Sequence, residues 1–186
     1  MRMRKLEILV AINNVRCVQF RPRVPEDMFY VIIQNGTGCR ATIGKTIGYI
    51  VLKYPDCFDD GVTFHELLHT LGFYHEQSRF DRNSYVRVYE QNIQNGSESD
   101  FKIVGNPVAD TFDTLYDYSS IMHYGTYEFS KNGLPTIEPI QSNVKIGQKT
   151  NLTSADIQLV RSYYNCSATG PTLPSVTIPI KPGKYC

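Results

Sequence analysis

"VTFHELLHTLGFYHEQSRFDR", residues 62–82, holds three of the four histidines of a 186-residue chain, and the fourth, His123, lies far downstream in "SIMHY" (120–124). Read as a helix over 62–71, the stretch puts His65 and His69 four residues apart on one face, where both imidazoles reach a single ion. Phe64, Leu67, Leu68 and Leu71 recur at i, i+3, i+4 and i+7, a stripe that packs into a core and fixes the orientation of the ligands. Gly72 follows, and a glycine just past a helix takes the left-handed conformation that turns a chain sharply. Such a turn brings His75 round to the same ion. Three neutral imidazoles leave zinc one open position, which is the catalytic rather than the structural arrangement. Glu66 is then the carboxylate beside a water that the metal acidifies, placed to take its proton.

The rest of the composition narrows the class. A chain of this length buries roughly 70% of its unfolded surface and needs only one domain. It carries 19 basic against 18 acidic residues, a net charge of +1 with no long block of either sign, so attraction to nucleic acid or anionic lipid has no electrostatic basis. No apolar run approaches the 18 or so residues of a membrane span. Five cysteines, at 17, 39, 57, 166 and 186, contain no CxxC pair and read as a disulfide framework. With N-x-[ST] sequons at Asn35, Asn95, Asn151 and Asn165, they point to a secreted, extracellular protein.

Along the chain, residues 3–14 carry a helical stripe of Leu6, Leu9, Val10 and Ile12, and "CVQF" (17–20) and "FYVII" (29–33) read as short β segments. "GTGCRATIGKTIGYIVL" (36–52) suits one or two strands near a sheet edge. Residues 83–118 are polar and irregular, and "TSADIQLVRSYY" (153–164) is a capped helix with Ile157, Val160 and Tyr164 on one face. Beyond Cys166, residues 167–186 are a proline-rich linker or tail.

The motif "HELLHTLGFYHEQSRFDR" together with "SIMHY" resembles the astacin family of metzincin zinc endopeptidases, over about residues 5–166. The resemblance implies an α+β fold of two lobes. The N-terminal lobe, about 1–75, holds a mixed twisted sheet and the active-site helix; the C-terminal lobe, about 76–166, is mostly irregular with a terminal helix. It implies His65, His69 and His75 as ligands of one Zn2+, Glu66 as general base, Met122 in the turn beneath the metal, and Tyr124 as the phenol that stabilises the oxyanion. A neutral phenol is a sensible donor to a developing negative charge. Cys39–Cys57 and Cys17–Cys166 are the disulfides it implies, leaving Cys186 over, for a downstream domain or an intermolecular pair.

The implied activity is hydrolysis of peptide bonds in proteins or peptides, with the substrate extended along an edge strand at "CRATIGK" (39–45). Arg79, Asp81 and Arg82 read as a structural ion-pair cluster. Lys149 is read as a solvated lysine, although the resemblance puts it near the pocket for the residue after the cut bond. The family begins its catalytic domain with a further segment and strand that have no counterpart here. Its buried N-terminus engages the acidic residue after the third histidine, which is Glu76 in this chain, and Met1 is not expected to reach it. A second reading is therefore a catalytically weakened or inactive zinc-binding module that recognises peptide or matrix ligands. A third, a zinc-stabilised structural domain, needs a fourth protein ligand, for which His123 is the spare histidine.

Overall fold

The computed structural model describes residues 2–53, 55–105 and 110–174. Its helices are α1 (Arg2–Val10), α2 (Asp60–Thr70) and α3 (Ser154–Tyr163), and its strands β1 (Tyr30–Gln34), β2 (Cys39–Ala41), β3 (Ile47–Leu52), β4 (Val86–Val88) and β5 (Ile137–Pro139). β1 runs parallel to the central β3 and β2 runs antiparallel to it, so the sheet is mixed and β2 lies at one edge. The fold is α+β.

Helix α1 turns Leu6 and Val10, both fully buried, toward the same core as Phe64, Leu67 and Leu68 of α2. It ends at Val10, short of the expected residue 14. Asn13 and Asn14 adopt left-handed φ values of 49° and 64°, and Ile12 and Val15 close a bridge across them. Asparagine tolerates that conformation, and two in succession stop a right-handed helix. Residues 17–20 are not a strand either. Neighbouring main-chain donors go to partners outside any sheet: the amide of Arg16 bonds the Pro171 carbonyl at 2.8 Å, and that of Phe20 bonds the buried Glu7 carboxylate at 2.7 Å.

α2 begins at Asp59, whose side chain accepts from the Val62 amide at 2.7 Å. α3 begins with a reciprocal capping box between Thr153 and Asp156. On its face, Val160 is buried as expected but Tyr164 stays 40% exposed, its hydroxyl donating to the Leu71 carbonyl at 2.9 Å.

The buried apolar residues form two clusters. One joins α1, β3 and α2 to Ile121, Met122 and Val160; the other gathers Val86, Ile93, Phe101, Tyr116, Tyr124 and Ile137 around the β4–β5 pair. Disulfides link Cys17 to Cys166 and Cys39 to Cys57. Cys186 and most of the proline-rich tail lie outside the described residues, but the tail's first part stays on the domain. Thr172 bridges to Val15, the Leu173 amide bonds the Asn14 carbonyl at 2.9 Å, and Leu173 is buried. No helix among the described residues is long and apolar enough to cross a membrane.

Candidate metal centre and active site

The site is assembled by a turn, a helix and a distant loop. After α2, Gly72 takes φ +105°, a conformation strained for any residue with a Cβ, and the chain reverses. The reversal presents the Phe73 carbonyl to Nδ1 of His69 at 2.8 Å and carries His75 back to α2. From the other side, the Ile121 carbonyl takes Nδ1 of His65 at 2.8 Å. That loop is held by Asp156, whose carboxylate accepts from the Ser120 hydroxyl at 2.6 Å and the Ile121 amide at 3.1 Å. The cap of α3 thus also supports a ligand of the centre.

With both Nδ1–H groups committed to carbonyls, Nε2 of His65 and of His69 are bare acceptors. They lie 3.1 Å apart, and Nε2 of His75 is 3.2 Å from the first and 3.1 Å from the second. Burial pushes all three imidazoles below their ordinary pKa, His69 down to about 3, so all are neutral at neutral pH. Acceptors at this separation repel, and a cation between them removes the repulsion. Zinc–nitrogen bonds of about 2.1 Å at tetrahedral angles put the nitrogens about 3.4 Å apart. The donor set fits zinc, and these three residues are the group among the described residues that converges on one ion.

Glu66 is 3% exposed, and its Oε2 is buried without a hydrogen-bond partner. Burial pushes this carboxyl up to about 7, against the pull of the Lys149 ammonium. A buried carboxylate oxygen left open costs stability and marks a group kept for something other than packing. The Tyr124 ring packs against His75 with centroids 4.3 Å apart and between Phe101 and Phe129, each at 5.5 Å. Burial raises the phenol's pKa, so it stays protonated and can donate. Met122 is buried in the core beside α2, and its carbonyl accepts from the Glu76 amide at 3.0 Å.

His123 does not join the three ligands. Its Nε2 meets the Tyr116 hydroxyl and its Nδ1 the Tyr124 carbonyl, both at 2.7 Å, which leaves no fourth imidazole for a closed structural site. The expected Arg79–Asp81–Arg82 cluster holds only in part. Arg79 grips Asp81 through two bonds of 2.9 and 2.8 Å and reaches Glu76 at 3.2 Å. Arg82 instead is buried and donates to the carbonyls of Gln77 and Phe101. Burial pushes Glu76 up to about 7, and its carboxylate accepts from Arg79 and from the Asp117 amide. Met1 lies outside the described residues. Lys149 is half exposed and 3.3 Å from Glu128.

Gln77 and Tyr116, which hold the surroundings of Tyr124, are not legible in the sequence, because a lone glutamine or tyrosine carries no spacing signal. Asp156 did carry one, since the T-x-x-D capping box at 153–156 names it.

The family model for Astacin, a peptidase family, matches residues 4–165. The chain is 39% identical over 176 residues to zinc metalloproteinase nas-13 of Caenorhabditis elegans, a match that covers 92% of this chain and 38% of that protein. It is 41% identical over 162 residues to embryonic protein UVS.2 of Xenopus laevis, with 85% and 30% covered. Among solved structures it resembles high choriolytic enzyme 1, a hatching enzyme zinc-protease from the medaka Oryzias latipes, at a TM-score of 0.78 and 34% identity, covering 89% of this chain and 82% of the other. The chain spans less than half the length of the curated relatives it matches here. The three convergent imidazoles, the buried open carboxylate of Glu66 and the match over residues 4–165 agree on one assignment: the chain belongs to the astacin family.

Proposed function

We propose that the protein is a secreted zinc-dependent endopeptidase that hydrolyses peptide bonds in protein or peptide substrates. The observation that carries this reading is the convergence of three Nε2 atoms beside a carboxylate with an open, buried oxygen. His65, His69 and His75 hold the metal. Zinc, when bound, supplies a Lewis acid that polarises the scissile carbonyl and acidifies a water.

Glu66 acts as general base and then returns the proton to the leaving amine, a role suited to a carboxylate whose buried Oε2 is left open. Tyr124 donates its phenolic hydrogen to the oxyanion that develops on the carbonyl oxygen. The substrate lies extended along β2, whose place at the sheet edge supports main-chain pairing. The catalytic domain spans residues 1–166, with lobes of about 1–75 and 76–166, and the packing of Leu173 supports carrying it a few residues further. Two disulfides support an extracellular location.

The test is hydrolysis of casein by protein of measured zinc content, before and after chelation. Cleavage that disappears with the metal and returns with one equivalent of zinc is expected. A folded, zinc-loaded protein that cleaves nothing would favour instead the reading as a zinc-binding module that recognises peptide or matrix ligands.

A further inference from the structure

We infer that Gln77 and His123 are positioning residues that clamp the main chain of Tyr124 and so set where its phenol stands relative to His75. The inference rests on the proposed role of Tyr124 and names the residues on which that role depends.

The main-chain N–H of Tyr124 donates to Gln77 Oε1 at 3.0 Å, and its carbonyl accepts from His123 Nδ1 at 2.7 Å. Neither bond belongs to a helix or strand, so among the described residues two side chains hold the peptide groups on either side of the Tyr124 Cα. The carbonyl can only accept, which puts the His123 proton on Nδ1. Nε2 is then the acceptor for the Tyr116 hydroxyl at 2.7 Å, and this second bond locks the ring and its tautomer.

Gln77 is fully buried, and its Nε2 has no partner. An amide oriented for its own satisfaction would not leave a donor stranded; this one is oriented by what its oxygen holds. Gln77 also stands two residues after His75, on a segment already tied to the opposite loop by the bond from the Glu76 amide to the Met122 carbonyl at 3.0 Å. One short segment therefore carries a metal ligand and the anchor of the phenol that packs against it.

The test is a double-mutant cycle on the full chain, with kcat and KM measured on a quenched peptide and normalised to zinc content. Gln77→Met keeps the side chain's length and removes the acceptor. It is expected to lower kcat at least tenfold with KM within about threefold, and to cost nothing further in a Tyr124→Phe background. Equal losses in both backgrounds, or no loss in either, would overturn the inference, whereas Tyr124→Phe alone judges the role of the phenol. His123→Leu should behave as Gln77→Met does, and His123→Asn, which keeps a donor near the Nδ1 position, should recover most of the rate.

A second readout needs neither metal nor turnover. In metal-free protein the Tyr124 amide should exchange its hydrogen at least tenfold faster in Gln77→Met, while the Ile121 amide, bonded to Asp156, keeps its protection. Unchanged exchange at Tyr124 would sink the Gln77 half, and an Nε2–H tautomer at His123 by nitrogen NMR would sink the other. Should Gln77→Met fail to fold, the paired His123 variants and the tautomer decide.

Discussion

Gly147 and Gly125 meet main chain to main chain: a Cβ added at 147 would lie 2.3 Å from the Gly125 Cα and 3.3 Å from the carbonyl carbon of Tyr124. Gly147 also has φ +83°. Gly147→Ala therefore brings a clash and a backbone penalty together, and about 2–4 kcal/mol of destabilisation is expected. Because the clash falls next to Tyr124, the rate should drop more than the folded fraction does. Chemical denaturation beside a peptide-cleavage assay checks both, and a variant as stable and as fast as the parent would contradict this contact.

The two disulfides should differ in weight. Cys17–Cys166 joins residues 149 apart and Cys39–Cys57 residues 18 apart. If loop closure in the unfolded chain dominates, paired serine substitutions cost roughly 5 kcal/mol for the first and roughly 3 for the second. Urea unfolding of the two double variants gives the order, and the reverse order would show that local packing around buried Cys57 outweighs chain entropy.

Leu173 tests how far the domain extends. Its buried side chain and its amide bond to Asn14 hold residues 171–173 against 14–16. Leu173→Ala should destabilise the protein by about 2–3 kcal/mol, in the range for a buried leucine, and should open the tail to proteolysis near Cys166. Parental stability with the same cleavage pattern would mean that the tail contributes nothing.

His123 gives a pH signature. Burial pushes its pKa from 6.5 down to about 4, opposed by its bond to the Tyr124 carbonyl and by the Asp117 carboxylate, while the neutral Tyr116 phenol bonds its Nε2 and the His75 ring is in electrostatic reach. Between those values the unfolded chain takes up a proton that the folded chain refuses. Stability from this group is thus complete above about pH 6.5 and lost as the pH falls toward 4, in total on the order of 3 kcal/mol. In metal-free protein the difference between parent and His123→Asn stability should follow that slope. A flat difference from pH 7 to 4 would refute it.

The part of the molecule legible in the sequence is the part governed by short spacing. The i, i+4 histidines, the apolar stripe of α2, the left-handed Gly72 and the capped start of α3 each depend on residues within one or two turns. What was not legible depends on distant partners. α1 stops at Val10 because Ile12 and Val15 bridge over two left-handed asparagines, and residues 17–20 fail as a strand because their surroundings spend main-chain donors on Glu7 and Pro171. β4 and β5 pair residues about fifty positions apart, and each is too short to show a period. The carbonyl that orients His65 comes from Ile121, which no local pattern links to the helix.

The central claim is that Glu66 performs chemistry on a metal held by His65, His69 and His75. The most direct test is Glu66→Gln against the parent, measured for both zinc stoichiometry and peptide hydrolysis. The account predicts one zinc per chain in both proteins and at least a hundredfold lower kcat in the variant, since general acid–base catalysis contributes about 10²–10⁴-fold. A zinc-loaded Glu66→Gln variant that cleaves at the parental rate would contradict it.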